Sequence, residues 1–404
     1  MAFAIGLNSG SSFDGVDAVL IEIGEDGLGR ADSPKFIDGI SIDWPEAAGQ
    51  QVKSAFENQL SIFELTRLNY VCGAVFAQAA VEIMRKHGLS GEDIDVIGYD
   101  GQTIYQEPPE PEKIKTYDCK EPYWKMWTDY GFACGLQIGE PGVVAVLADV
   151  PVVTQFRSVD HTLGGTGAPL MQYLDYVLFR DAEPTLTLNI GGISNIQFAA
   201  KDRKLMKAFD CGPGNVMIDH AMMRLFGKEF DADGKTAASG QVNSQMLREL
   251  MAHPFFKRPI PRCAWRLDFG AEYCDSFIDR YHEISPEDIV ATLTAFTAEA
   301  IGSAISENIA IPQDGINVYT SGGGAKNSAL LDMIRQRLPY GANMQLSDAI
   351  GIPLQYKEAV KFATIAYSTK RSIADNIPAA SGAHQFGVLG KLVLPPRLAR
   401  FTDE

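Results

Sequence analysis

The chain is short of most features that announce a special environment. Its 404 residues hold six cysteines (Cys72, Cys119, Cys134, Cys211, Cys263 and Cys274), and no two form a C-x-x-C. A chain of this length needs no covalent staples, so reduced core thiols and a cytoplasmic location are expected. No apolar run approaches the roughly 18–20 residues of a membrane span. Met1–Leu7 has no basic start and reaches Gly6 and Asn8 too soon for a secretory leader, so none is expected. Positive charge is also scarce: 35 Lys and Arg against 51 Asp and Glu leave a formal net charge of −16. Such a surface repels a phosphate backbone, so neither nucleic acid nor membrane is an expected partner, and an anionic substrate would need a locally positive pocket.

Several catalytic signatures are missing too. Gly234-Lys235-Thr236 looks like the end of a phosphate-binding P-loop, but the glycine required five positions earlier is Glu229. No G-x-G-x-x-G follows an apolar strand, which leaves a dinucleotide site unsupported. The six histidines show no metal-ligand spacing, and no serine sits in a nucleophile elbow.

What is present is an α/β pattern long enough for two domains. Apolar residues at three- and four-residue spacing predict a helix over 61–87, with a strand following at Val96–Tyr99. Ser285 as N-cap, Pro286 at N1 and an acid at N3 start another helix. Three apolar strands each run straight into a glycine-rich turn: residues 8–15, 191–195 and 322–327. The second repeats the first in outline, a strand, then glycine with Ser and Asn, then a strand, which suggests two related halves. Turns of this kind expose backbone N–H groups without blocking side chains, so they suit a polyanion such as ATP, although tight turns also use glycine for steric reasons alone.

Asp160 is the best candidate general base. It follows the buried strand 150–154 and Phe156-Arg157, four residues ahead of Gly164-Gly165. Arg157 can orient a sugar hydroxyl or a phosphate, or pair with Asp160 and keep it ionised. Asp14 and Asp210 are candidates for holding the waters of a magnesium ion, or are a turn-former and a cap. Residues 106–134 are rich in Pro, charge and aromatics. Their rings are expected to pack on one another in a surface insertion, with a lid as the other reading.

Taken in order, the stretches Gly6–Asp17, Asp100-Gly101-Gln102-Thr103, Leu136–Pro141, Phe156-Arg157 with Asp160 and Gly164–Leu170, Leu188–Asn195, Phe209–Asn215, Gly322–Asn327 and Lys357-Glu358-Ala359 resemble the anhydro-N-acetylmuramic acid kinase family, which includes levoglucosan kinases. The resemblance spans about residues 5–367. It implies the two-domain, ribonuclease H-like α/β fold of sugar kinases, actin and Hsp70, with ATP in an interdomain cleft. The domains are expected at 1–180 and 181–404, the C-terminal helix being free to pack back on the first. The implied reaction opens a 1,6-anhydro sugar with water at C1 while O6 takes the γ-phosphoryl of ATP. The family default is 1,6-anhydro-N-acetylmuramic acid, the alternative a smaller anhydrohexose such as levoglucosan. A sensor that kept the cleft without the chemistry is the reading from another class.

Carried over residue by residue, Asp160 falls on the catalytic aspartate. The ATP contacts fall on Ser9, Gly10, Ser11, Ser12, Phe13, Asp14, Gly15 and Val16, on Gly191, Gly192 and Asn195, and on Gly322, Gly323, Gly324 and Asn327. Substrate contacts fall on Gln102, Glu140, Arg157, Asp210 and Gly212. Asp14 and Asp210 would hold Mg2+ through water, and a homodimer is possible by family analogy. The sequence departs from the common pattern on the sugar side: Asn8 for a Met, Asp100 for a His, Gln155 for an Asp, and Leu174-Asp175 for Phe-His.

Overall fold

The computed structural model describes residues 1–9, 15–168, 170–182, 184–264 and 268–399. Its strands are β1 (Ala2–Asn8), β2 (Val16–Ile23), β3 (Lys35–Ile42), β4 (Ile94–Gly98), β5 (Gln102–Glu107), β6 (Cys134–Ile138) and β7 (Val152–Thr154). They continue with β8 (Thr185–Ile190), β9 (Ile193–Ala199), β10 (Lys207–Pro213), β11 (Ile316–Ser321), β12 (Ala342–Leu346) and β13 (Lys391–Val393). The chain divides into two compact units, Met1–Leu178 with Gly351–Glu404, and Phe179–Ile350.

Each unit is built on one main sheet. The first runs β13-β7-β4-β1-β2-β3 and the second β10-β9-β8-β11-β12. In the first, β1, β2 and β3 form an antiparallel meander, and β4 and β7 extend it in parallel from β1. In the second, β8, β9 and β10 form the meander, and β11 and β12 extend it in parallel from β8. Strand order and direction are therefore the same in both, which makes the faint sequence repeat a repeat of topology. β13 adds an antiparallel edge to the first sheet only. This is the two-unit α/β architecture that the family resemblance implies.

The parallel strands are reached through helices whose caps are visible in the sequence. Ile62–Lys86 starts at a capping box, with Ser61 accepting from Glu64 N–H and Glu64 accepting from Ser61 N–H. One face of that helix buries Leu68, Cys72, Val75, Phe76, Ala79 and Ile83 against the first sheet. In the second unit, Pro286–Asn308 starts at Ser285 and fills the core with Ile289, Leu293, Phe296, Ile301 and Ile305. It is the one described helix long and apolar enough to cross a membrane, and 83% of its apolar window is buried inside the protein.

The sequence reading assigns 181–404 to the second domain and leaves the C-terminal helix free to pack back on the first; the structure groups 351–404 with the first unit. The cause is the helix Lys357–Lys370, which is buried from Ala359 through Ser368 on all sides. It lies on β1 and β4 where Gly6 and Gly98 leave the sheet bare. A Cβ on Gly6 would sit 1.8 Å from Ala359 O, and one on Gly98 2.1 Å from Phe362 O. Backbone approach this close secures the helix to the first sheet. Asp175, one of the sugar-side departures, is completely buried and pairs with the buried Lys357 at 3.1 Å. It serves as a counter-ion in the core.

Residues 108–132 behave as an insertion packed on its own rings. Tyr117 meets Tyr130 and Phe132 edge-on at 5.1 and 5.6 Å, and Trp127 stands 6.1 Å from Phe132. The insertion also walls a cavity of about 760 Å³ with Tyr117, Met126 and Phe132 opposite Leu163, Gly164 and His384.

Candidate active site

In both sheets the candidate residues follow the carboxyl ends of the parallel strands and of the strands that start each meander, where α/β folds place ligands. Ser9 follows β1, Asp100 and Gln102 follow β4, and Arg157 and Asp160 follow β7. Gly191 follows β8, and Gly322 follows β11.

Asp160 lies on the short helix Arg157–Thr162 and is 1% exposed. Three donors hold its carboxylate: Gly167 N–H at 2.9 Å, Ser381 Oγ at 2.8 Å and Asn376 Nδ2 at 3.4 Å. Burial raises its pKa above the usual carboxylate range, and these donors work against that shift. Glycine is required beside it. A Cβ on Gly165 would lie 2.2 Å from Asp160 Oδ2, and one on Gly167, whose φ is +63°, would lie 2.0 Å from His161 Nε2. His161 is itself buried, and desolvation holds its imidazole down at about 4, so it is neutral at physiological pH.

Of the roles left open for Arg157, pairing with Asp160 is not the one formed. Arg157 Nε donates to Asp100, and its Nη1 donates to Gln106 Oε1 at 2.9 Å and Gly167 O at 3.1 Å. Asp100 also accepts from Phe156 N–H at 3.2 Å. The guanidinium thus braces the loop that binds Asp160 without touching Asp160. Lys361, also buried, stands 4.1 Å above the Phe362 ring, and burial holds its ammonium below the ordinary lysine range.

Ser9 is almost buried, and its hydroxyl donates to the buried Gln102 Oε1 at 2.7 Å. The candidate ATP contacts Gly10, Ser11, Ser12, Phe13 and Asp14 lie outside the described residues. Gly15 and Val16 lead into β2, with Val16 buried. Glu140 caps the helix Pro141–Ala148 by accepting from Gly142 N–H, and Asn69 Nδ2 donates to its other oxygen at 3.2 Å. No described contact links Glu140 to Asp160 or Gln102.

In the second unit three turns converge. Gly214 and Asn215 donate backbone N–H groups to Gly192 O and Gly191 O, both at 2.8 Å. A Cβ on Gly324 would lie 2.3 Å from Ile190 Cγ2 and 2.9 Å from Asn215 Oδ1. Asn195 Oδ1 accepts from Gln197 at 2.6 Å, and Asn327 caps the helix Ser328–Arg335 through Leu330 N–H. Gly212, with φ +152°, accepts from Ser194 Oγ at 3.2 Å. Gly191, Gly192 and Gly323 keep their backbone partly or fully exposed.

Asp210 is buried and accepts from Ala264 N–H at 2.6 Å. Burial pushes its carboxyl up to about 7, against the pull of that N–H and of Arg262. No described cluster of three His, Cys, Asp or Glu side chains could hold a metal alone. A magnesium ion held mostly by phosphate and water needs only one or two carboxylates, and the strained charge of Asp210 suits a nearby cation.

Ser381 and Asn376 escaped the sequence reading. They lie more than 200 residues from Asp160, in a segment with no motif of its own, so nothing local could have signalled them.

A family profile described as anhydro-N-acetylmuramic acid kinase matches residues 2–395. A protein of that name from Caldanaerobacter subterraneus subsp. tengcongensis is 36% identical over 398 residues, covering 96% of this chain and 96% of the relative. Another, from Bacillus cereus strain AH187, is 34% identical over 399 residues, covering 97% and 99%.

Proposed function

The chain belongs to the anhydro-N-acetylmuramic acid kinase family, and from that premise we propose an ATP-dependent kinase that hydrolyses and phosphorylates a 1,6-anhydro sugar in one reaction. The substrate in the main reading is 1,6-anhydro-N-acetylmuramic acid and the product N-acetylmuramic acid 6-phosphate. Water attacks C1 and gives its proton to Asp160. The C1–O6 bond breaks, O6 attacks the γ-phosphorus, and ADP leaves. The observation that carries this reading is the buried Asp160 carboxylate, held by three fixed donors with its pKa raised toward working pH.

The residues divide by chemistry. Ser9 to Val16, Gly191, Gly192, Asn195 and Gly322 to Asn327 are assigned to ATP. Exposed glycine backbone at Gly192 and Gly323 supports this, since N–H groups there can face a phosphate. Gln102, Glu140, Arg157, Asp210 and Gly212 are assigned to the sugar side. Asp14 and Asp210 would hold the waters of Mg2+, which when bound neutralises phosphate charge.

One observation favours levoglucosan as a second reading. Asp100, standing where relatives of the first type carry histidine, takes the charge of Arg157. A lactyl carboxylate needs a cationic or N–H partner, for which Arg157 is already engaged, and levoglucosan needs neither.

Incubating the protein with ATP, Mg2+ and each sugar in ¹⁸O-water, with phosphosugar read by mass spectrometry, tests the proposal. The product should carry one heavy oxygen at C1. Phosphate transfer without label removes the hydrolytic half, and sugar binding without ADP release favours a sensor.

A further inference from the structure

Trp44 lies just before the helix Glu46–Phe56, outside every stretch that carries the family resemblance. Its indole N–H donates to Ser9 Oγ at 3.0 Å, and Ser9 Oγ donates in turn to Gln102 Oε1 at 2.7 Å. We propose that Trp44 is a positioning residue for sugar binding: through Ser9 it fixes the Gln102 carboxamide so that its oxygen is engaged and its NH2 group is the end kept as donor to a sugar oxygen. This rests on the kinase reading above.

The direction of the relay follows from donor chemistry. An indole N–H can only donate, so Ser9 must accept from Trp44. A carboxamide oxygen can only accept, so the single Ser9 proton goes to Gln102. The opposite flip of Gln102 is disfavoured by its neighbour. Nε2 lies 3.5 Å from Thr103 O, and exchanging the two ends would set Oε1 against that carbonyl. With Oε1 spent on Ser9 and one N–H turned to Thr103 O, the second amide N–H is the part of Gln102 left to bind a ligand. The same arrangement means that the Ser9 hydroxyl reaches a phosphate only by releasing Gln102.

Trp44 is held firmly enough to impose this. Its ring meets Phe76 edge-on at 6.0 Å and 83°, and Phe76 packs on Tyr99 at 4.8 Å. Tyr99 OH donates to Gly139 O at 2.7 Å, next to Ile138, which pairs with Gln102 across the β5–β6 ladder. Both ends of the relay are therefore tied to one packed cluster. Phenylalanine at 44 would keep that packing and lose only the donor.

The test uses the full-length protein with ATP and whichever anhydrosugar the wild type phosphorylates. Trp44→Phe should raise KM for the sugar about tenfold, with KM for ATP within about twofold of wild type. Ser9→Ala should raise KM for the sugar by a similar factor, whatever it does to KM for ATP, because Ser9 also belongs to the ATP-binding set. The double variant should be no worse than the poorer single, whereas independent contributions would multiply to about a hundredfold. In ¹⁵N-labelled protein the Trp44 indole N–H signal, assigned by its loss in Trp44→Phe, should move upfield in Ser9→Ala. A normal sugar KM in Trp44→Phe, an equal change in KM for ATP, or an indole signal indifferent to Ser9→Ala overturns the relay. A wild type that phosphorylates neither anhydrosugar overturns the kinase reading and this role with it.

Discussion

The two sheets carry the same five strands in the same order, yet they arm the strand ends differently. In the first unit the ends hold functional side chains: Ser9 on Gln102, Arg157 on Asp100, and Asp160 under three donors. In the second, beside the buried Asp210, they hold mostly backbone, with the turns at 191–192, 212–215 and 322–324 packed so closely that side chains are excluded at Gly214 and Gly324. Moving a proton requires a side chain whose pKa can be tuned. Holding a polyanion requires close approach and N–H groups, which glycine turns supply. One architecture can thus be specialised twice, by what is added at the strand ends and by what is left out.

The largest effect should come from the side-chain half. Asp160→Asn keeps the size and part of the hydrogen bonding but removes the base. We expect turnover to fall by about 10²- to 10⁴-fold, while ATP affinity, measured calorimetrically, stays near wild type. Near-normal turnover would remove Asp160 from its role. Breaking the backbone half should give the reverse pattern. Gly322 has φ +88°, and a Cβ there would stand 2.5 Å from Ile190 O. Gly322→Ala should therefore weaken ATP binding about tenfold or more and lower stability by about 1–3 kcal/mol. It should leave sugar binding in place. A variant that instead loses sugar affinity with ATP affinity intact would show that the two sheets do not divide the work in this way.

How much of this was legible in the sequence depends on distance along the chain. The strands, the glycine turns at 191–195 and 322–327 and the Ser285-Pro286 helix start are local patterns, and each is found within a residue or two of where the sequence put it. The repeat was visible because it uses the same local grammar twice. The partner of Arg157 was not visible. Asp160 lies three residues away on the same short helix, which made it the natural candidate, but Asp100, 57 residues earlier, takes the guanidinium. Asp160 is meanwhile claimed by Gly167, Asn376 and Ser381, the last two more than 200 residues further along the chain. Spacing cannot report partners brought in by tertiary folding. The sequence left the C-terminal helix free to pack back on the first unit, but not the cause, a pair of bare glycines, Gly6 and Gly98, in strands far from the helix they admit.

The subtlest effect concerns Ser381, which belongs to the long-range shell around Asp160. Its hydroxyl donates to Asp160 Oδ1 at 2.8 Å and so favours the charged carboxylate, opposing the upward pull of burial. Removing it with Ser381→Ala takes away a stabiliser of the ionised form, so the pKa of Asp160 should rise further. Asp160 acts as a base only when ionised, and the acid limb of the kcat/KM profile reports its pKa in the free enzyme. That limb should move to higher pH by about one to two units, the size expected for one hydrogen bond to a charged group at 1.36 kcal/mol per unit. Above the new pKa the variant should regain most of its rate, and ATP affinity should not change with it. A uniform loss at every pH would mean that Ser381 merely supports the local packing. A limb displaced to lower pH would mean that the hydroxyl does not stabilise the carboxylate at all.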